Sequence, residues 1–354
     1  MKNYIKSWLD DRLGLLSVFN FLKAKRIPQH RHSLWYYTGS VILVFFAIQV
    51  VTGLMLLFYY KPTLDKAHES VARIMTEVSF GWIIRSIHSW SASLMIATVF
   101  IHLISSWLLK SYRKPREATW MTGVLLLIVT LAFGFTGYLL PWDSLSVSAT
   151  KVGTDIPSTI PVIGSWLTKF LRGGEDVTGD TLTRFFSFHV SLLPLLLIML
   201  IGLHLYLIQK HGVSLPLSLE KAPEKVKELP FWPNFVYREA IVWLLVLGGL
   251  VTLAILFPPS LGEKADLMAP ASVGIKPEWY FLFLFQSLKI VPAKIWFING
   301  DTLAVLLILI IGVLFFFIPL IDNKPAEKKG KIITLIAWSV VLYGIAMSLW
   351  SLLS

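Results

Sequence analysis

The chain has 354 residues, of which 55% are hydrophobic and 15% charged, with 32 Lys+Arg against 21 Asp+Glu and a net charge of +11. Soluble globular domains carry about 25% charged residues, so this balance excludes a disordered chain and argues against a soluble enzyme. There is no Cys, which excludes disulfides, thiolate metal sites, Cys-ligated iron–sulfur clusters and thioether-linked haem.

The first 33 residues mix Lys2, Lys6, Arg12, Lys23, Lys25, Arg26 and Arg31 with Trp8, Leu9, Leu13, Leu16, Phe19 and Leu22. That suits a helix lying in a membrane interface; no signal peptide is recognised. A spanning helix needs about 20 mostly apolar residues. Seven stretches supply them: 34–60, 80–109, 118–140, 184–208, 236–257, 301–321 and 332–353. The runs are long and unbroken, unlike the alternating strands of a β-barrel. The expected fold is an all-α integral membrane protein with about seven transmembrane helices. Residues 34–210 form a four-helix bundle and 236–354 a three-helix part. Between them runs a linker, 211–235, interrupted by Pro216, Pro223, Pro230 and Pro233. No sequence repeat is evident.

Lys and Arg between spans set orientation. The N-terminal segment, the second connection (Lys110, Arg113, Lys114, Arg116) and the sixth (Lys324, Lys328, Lys329, Lys331) are basic. The fourth is mixed: Lys210, Lys221, Lys225, Lys227 and Arg238 stand beside several Glu. Connections 61–79, 141–183 and 258–300 are near neutral or slightly acidic. The alternation places the N-terminus on the cytoplasmic, negative side and the C-terminus opposite. Topology thus accounts for most of the positive charge, and a nucleic-acid partner has little left to explain.

Of eight His, four lie inside spans: His88 and His102 on span 2, His189 and His204 on span 4. Ionisable groups at membrane depth are costly and mark function. Fourteen residues of α-helix fall about 40° short of whole turns and fifteen overshoot by about 60°, so each pair shares one face, about 21–22 Å apart along the axis. Both spans run inward from the positive side, which sets His88 level with His189, and His102 level with His204. Facing histidines at two levels suit two six-coordinate haems, because helix bundles build cofactor sites from facing helices. A proton relay would not require matched pairs. Gly39 and Gly53 on span 1, and Gly123 and Gly137 on span 3, repeat the interval and would let a flat macrocycle approach the backbone. Taken alone, such glycines are ordinary helix–helix contacts.

These residues resemble the cytochrome b family of quinol–cytochrome c and plastoquinol–plastocyanin oxidoreductases. The resemblance runs over nearly the whole chain. It rests on Arg85-Ser86-Ile87-His88 with His102 fourteen on, Gly137-Tyr138-Leu139-Leu140-Pro141-Trp142, Thr183-Arg184-Phe185 before His189, and above all Pro277-Glu278-Trp279-Tyr280. The 14-then-15 spacing and residues 114–123, which include Trp120, look like cytochrome b6. From Trp232-Pro233-Asn234 onward the chain looks like subunit IV, as if the two were fused, without the eighth helix of mitochondrial cytochrome b.

The resemblance implies two haems b, held by His88/His189 and His102/His204. It implies quinol oxidation on the positive side, with one electron to a Rieske iron–sulfur protein and one through the haems to a quinone on the negative side, coupled to proton translocation. A c-type cytochrome or plastocyanin would follow, and the complex would be a homodimer. Glu278, with Tyr280, is the expected catalytic group, and Tyr138 and Trp142 are expected to line its pocket. Arg85, three residues before His88, and more weakly Arg184, would meet haem propionates; Trp120 is assigned to the same cofactors. On the negative side, Arg238 and Glu239 fall near the family's proton-donating Lys-Asp pair. The basic residue expected five positions after His204 is Gln209, for which Lys210 or His211 would substitute. Tyr37 stands where cytochrome b6 has the Cys that tethers an extra haem, so a covalent third haem is excluded and an untethered one is left open. The rival enzyme reading is a di-haem membrane anchor for a peripheral dehydrogenase; a haem-free transporter is a third.

Overall fold

A computed structural model describes residues 2–220, 226–268, 275–322 and 328–354. Lys221, Pro223, Lys225 and Lys324, counted above, lie outside the described residues. Two short helices, α1 (Lys2–Leu13) and α2 (Leu15–Ala24), lead into strand β1 (Arg26–Gln29). The remaining helices of the first part are α3 (Tyr37–Leu57), α4 (Ala67–Thr76), α5 (Gly81–Leu108), α6 (Glu117–Leu139), α7 (Ser144–Asp155), α8 (Gly164–Arg172), α9 (Gly179–Ser187) and α10 (Leu193–His211). After α11 (Leu217–Glu220) come β2 (Lys227–Pro230), α12 (Val236–Leu256), α13 (Leu282–Lys289), the two-residue strands β3 (Lys294–Ile295) and β4 (Ile298–Asn299), α14 (Gly300–Phe316), α15 (Ile318–Ile321) and α16 (Lys328–Leu353).

Six helical stretches among the described residues are long and apolar enough to cross a membrane: Ser33–Leu57, Gly81–Leu108, Glu117–Leu139, Gly179–His211, Phe231–Leu256 and Gly330–Leu353. The sixth expected span differs. It is a 17-residue helix, α14, about 25 Å long at 1.5 Å per residue. It breaks at Phe317 and resumes as the short α15, where Pro319 occupies the first turn. Proline is tolerated there because that N–H has no helical acceptor.

α3 packs along α5, and α6 along α10; α12 lies against both α3 and α5, and α13 against α16. Val41, Phe45, Met95 and Leu250 form the buried seam between the first pair and α12. Leu103, Trp107, Trp120, Val124, Ile318 and Ala337 join the first part to the last helices. Leu195, Ile198, Met199, Leu244 and Leu245 stay exposed on the outer faces. In a chain of this composition those faces belong to lipid, since no water-soluble fold leaves such an area of apolar side chains uncovered.

Two features fix the ends of the bundle. At one end β1 pairs antiparallel with β2, Arg26 opposite Pro230 and Gln29 opposite Lys227, which ties the N-terminal segment to the start of α12. At the other end α7 and α9 start at capping boxes on Asp143 and Thr178, where side chains satisfy N–H groups that lack helical acceptors. Asp143 also accepts from the Gly262 N–H (3.3 Å). Together with Ser144 N–H to Glu263 O (2.9 Å) and Ala265 N–H to Trp142 O (3.2 Å), it laces the segment after α12 onto the first part. Lys264 completes the join with an ion pair to Glu69 (3.3 Å).

Candidate haem and quinone sites

The four membrane histidines project between α5 and α10. His88 and His189 have ring centroids 6.5 Å apart with planes at 67°. Two metal–imidazole bonds of about 2 Å each, with a ring radius added at either end, reach about this separation. At the other level His102 and His204 hold the corresponding places on α5 and α10, each against a glycine and a threonine of a neighbouring helix.

The sequence sets His204 fifteen positions after His189, one more than the fourteen from His88 to His102 on α5. The structure absorbs the extra residue in a π-helical turn, Phe188–Leu192, directly before α10. Pro194 explains the position of this turn. It has no N–H to give the Val190 carbonyl and its ring would clash with that oxygen, so the helix widens there. The overshoot of the regular-helix arithmetic is thereby removed.

Each imidazole is oriented by a threonine on the neighbouring helix. Nδ1 of His102, His88, His204 and His189 lies 2.8, 2.9, 2.9 and 3.2 Å from Oγ1 of Thr38, Thr52, Thr122 and Thr136. Those hydroxyls donate to the carbonyls of Trp35, Ile48, Thr119 and Ala132. With its hydrogen so committed, each oxygen accepts from Nδ1–H, and Nε2 keeps its lone pair free to ligate. The glycines follow these threonines directly, and each faces an imidazole. A Cβ built at Gly39, Gly53, Gly123 or Gly137 would stand 3.6, 3.3, 3.4 or 2.7 Å from Cε1 of His102, His88, His204 or His189. The Thr-Gly pairs at 38–39, 52–53, 122–123 and 136–137 are visible in the sequence, where only their glycines were singled out.

These residues fit haem. Among the described residues no three His, Asp or Glu side chains gather into a metal cluster. Each level therefore offers a metal two protein nitrogens, the number a haem iron takes beyond its four ring nitrogens.

Arg85 lies one turn before His88, and its guanidinium donates to Pro259 O (2.6 Å) and Ser260 O (3.3 Å). Arg184 donates to Phe170 O (2.9 Å) at the end of α8. The Trp120 indole N–H is given to Phe315 O (3.1 Å) on α14. Neither Arg184 nor Trp120 hydrogen-bonds to the histidines or their threonines.

At the end of the bundle that carries α7 and α9, Glu278 precedes a tight turn, Trp279–Phe281. The turn presses Tyr280 against α6, where a Cβ on Gly134 would lie 2.7 Å from its hydroxyl; sequence reasoning missed this glycine. Tyr280 and Trp142 are buried, and Phe281 meets Phe135 edge-on at 6.3 Å. Burial pushes the Glu278 carboxyl above the usual glutamate range, the Trp279 backbone opposing it. Tyr280 is raised too, by burial and then by the charges of Glu278 and Tyr138. The Tyr280 hydroxyl thus faces α6 at Gly134, one turn from Tyr138, and the charges of Glu278 and Tyr138 both act on it.

At the end that carries the β1–β2 ribbon, Glu239 reaches the Ser40 hydroxyl, to which the Trp243 indole also donates (3.2 Å). Arg238 is exposed. Tyr37 stacks on Phe235 with centroids 5.0 Å apart and planes at 10°. Position 209 is met by Lys25, whose Nζ donates to Gln209 Oε1 (2.6 Å). The backbone of His211 caps Arg116 (3.1 Å).

The family model described as "Cytochrome b/b6/petB" matches residues 22–212, and that described as "Cytochrome b(C-terminal)/b6/petD" matches 264–353. The chain is 44% identical to a cytochrome bc complex cytochrome b subunit of Chlorobaculum thiosulfatiphilum over 344 residues, 97% of this chain and 79% of that one. It is 43% identical to cytochrome b6 of Prochlorococcus marinus (strain NATL1A) over 213 residues, 60% of this chain and 97% of that one. A solved chain from a hyperthermophilic respiratory Complex III superposes with a TM-score of 0.85 at 27% identity, covering 98% of this chain and 90% of that one.

Proposed function

The chain belongs to the cytochrome b family, with a b6-like part followed by a subunit IV-like part, and from that premise we propose that it is the membrane core of a quinol–cytochrome c or quinol–plastocyanin reductase. It is a multi-pass membrane subunit of a bc-type complex with a redox function. In our reading it sits in a bacterial inner membrane with its N-terminus cytoplasmic. It forms a homodimer with a Rieske protein and a c-type cytochrome or plastocyanin as partners.

The observation that carries the proposal is the matched set of four histidines, each held in the ligating tautomer by a threonine. His88 with His189, and His102 with His204, would hold two haems b. Bound there, haem supplies one-electron transfer between the two faces. Residues 34–210 would be the di-haem unit, 211–235 the linker and 236–354 the quinol-site unit. At the positive side Glu278 takes a proton from quinol. Tyr280 and Tyr138 shape the pocket, and the contact of Tyr280 with Gly134 holds Glu278 near α6. Arg85 would meet a propionate at the adjacent haem level. At the negative side Glu239 gives a proton to quinone. Tyr37 is engaged by Phe235, and only the two levels with histidine pairs are assigned haem.

The test is to purify the complex and follow quinol-dependent reduction of a c-type cytochrome. A copurifying Rieske protein, with turnover blocked by removing its [2Fe–2S] centre, is the expected result. Quinol-linked reduction of a bound dehydrogenase, with no Rieske protein present, would instead establish the di-haem anchor.

A further inference from the structure

The negative-side reading leaves one position unexplained. The resemblance expects a cation five residues after His204, and that residue is Gln209. Neither expected substitute fills the place. Lys210 is exposed, and what His211 contributes there is a backbone carbonyl, to Arg116.

The cation arrives from another part of the chain. The Phe231 N–H donates to Lys25 O (3.0 Å), extending the β1–β2 ribbon by one bond. Held there, Lys25 lays its ammonium 4.9 Å from the Phe231 ring centroid and donates to Gln209 Oε1 at 2.6 Å. Glu239, on the first turns of α12, is near enough for its charge to act on Lys25, yet the two form no ion pair among the described residues, and Glu239 reaches Ser40 instead. An ammonium has three donors, of which Gln209 takes one. A half-buried cation and a half-buried carboxyl therefore stand near each other without an ion pair, the carboxyl one turn of α12 beyond the Phe235 that stacks on Tyr37. Both adjoin the inner histidine level. Ser40 follows Gly39, which faces His102, and Gln209 lies about 7.5 Å along α10 from His204 at 1.5 Å per residue.

We propose that Lys25 is the cationic group of the negative-side quinone site. It supplies from the N-terminal segment the charge that position 209 lacks, and hydrogen-bonds one carbonyl of a quinone whose other carbonyl meets Glu239. A quinone fits because it is planar, carries an acceptor at each end and gains negative charge on reduction, which an ammonium stabilises. This inference rests on the negative-side site of the preceding subsection.

The test uses the intact complex with the positive-side site blocked by an inhibitor. A short-chain quinol then reduces the haems from the negative side, and a short-chain quinone is titrated separately for the shift it induces in the haem spectrum. Lys25→Met is expected to slow haem reduction and weaken the quinone titration by about tenfold or more, the worth of a charge-assisted hydrogen bond, with unchanged haem content. Lys25→Arg keeps most of both. Gln209→Lys placed on Lys25→Met recovers both to within about threefold. Wild-type behaviour of Lys25→Met while Glu239→Gln is impaired would overturn the role of Lys25 and leave the site standing. Wild-type behaviour of both would overturn the site as well. If Lys25→Met assembles poorly, Lys25→Arg and the double variant decide: restored assembly without restored quinone affinity means that Lys25 is structural and the proposal fails.

Discussion

Glu278→Gln is expected to slow quinol oxidation by about a hundredfold or more, the range for loss of a positioned general base. Both haem spectra should be unchanged. Glutamine preserves the side-chain volume and its polarity, so the turn Trp279–Phe281 and the contact of Tyr280 with Gly134 are kept, and only proton acceptance is lost. The pH dependence carries the sign. Burial raises this carboxyl above its ordinary value of 4.5. Below its raised pKa it carries a proton and cannot act as a base. Above it, the carboxylate is free and turnover rises. The wild-type rate should therefore climb with pH along a limb whose midpoint lies above the ordinary glutamate value, and Glu278→Gln should lack that limb. Unchanged turnover, or the same limb in the variant, would remove Glu278 from the reaction.

The second large effect concerns stability. Lys110 and Asp322 form an ion pair at 3.2 Å with side chains 8% and 0% exposed. Tyr112 donates to the same carboxylate oxygen at 2.6 Å, and Lys110 also donates to Gly330 O at 2.5 Å. This cluster clamps the end of α5 to α15 and α16, joining the b6-like part to the subunit IV-like part. Removing one member of a buried ion pair costs about 3–5 kcal/mol, whereas replacing both with apolar residues of similar volume is often close to neutral. Asp322→Ala should thus lower the thermal stability of the complex sharply, and Lys110→Met with Asp322→Leu should recover most of the loss. Equal destabilisation by the single and double variants would mean that packing, not charge, holds this junction. The Asp322 Oδ1 has no partner among the described residues, so Asp322→Asn, which keeps an acceptor for Tyr112, should fall between.

Much of the architecture could be read from composition, because a bilayer demands long apolar helices and little else. The weak point was α14, where an apolar run of spanning length hides a break at Phe317 that Pro319 alone hints at. The four histidines were legible because an ionisable group at membrane depth stands out against Leu and Ile. Their threonines were not, since Thr is common in such helices and hydrogen-bonds its own backbone without special purpose. The π turn could not be read from periodicity, although Pro194 marks it afterwards. By sequence alone Lys110 and Arg113 read as topology charges. Both are buried, Lys110 on Asp322 and Arg113 on Glu220 and the Leu215 carbonyl, because partners distant in sequence neutralise them. Lys25 was hidden for the same reason, 184 positions from Gln209.

The most direct test of the central claim is the amount of haem b per copy of this polypeptide, by pyridine haemochrome on the purified complex after its c-type partners are separated. Two haems per chain are predicted, one for each threonine-oriented histidine pair. Three would contradict the assignment of haem to those two levels alone and direct attention to Tyr37 and Phe235. None, in folded protein, would contradict the reading of all four histidines as ligands.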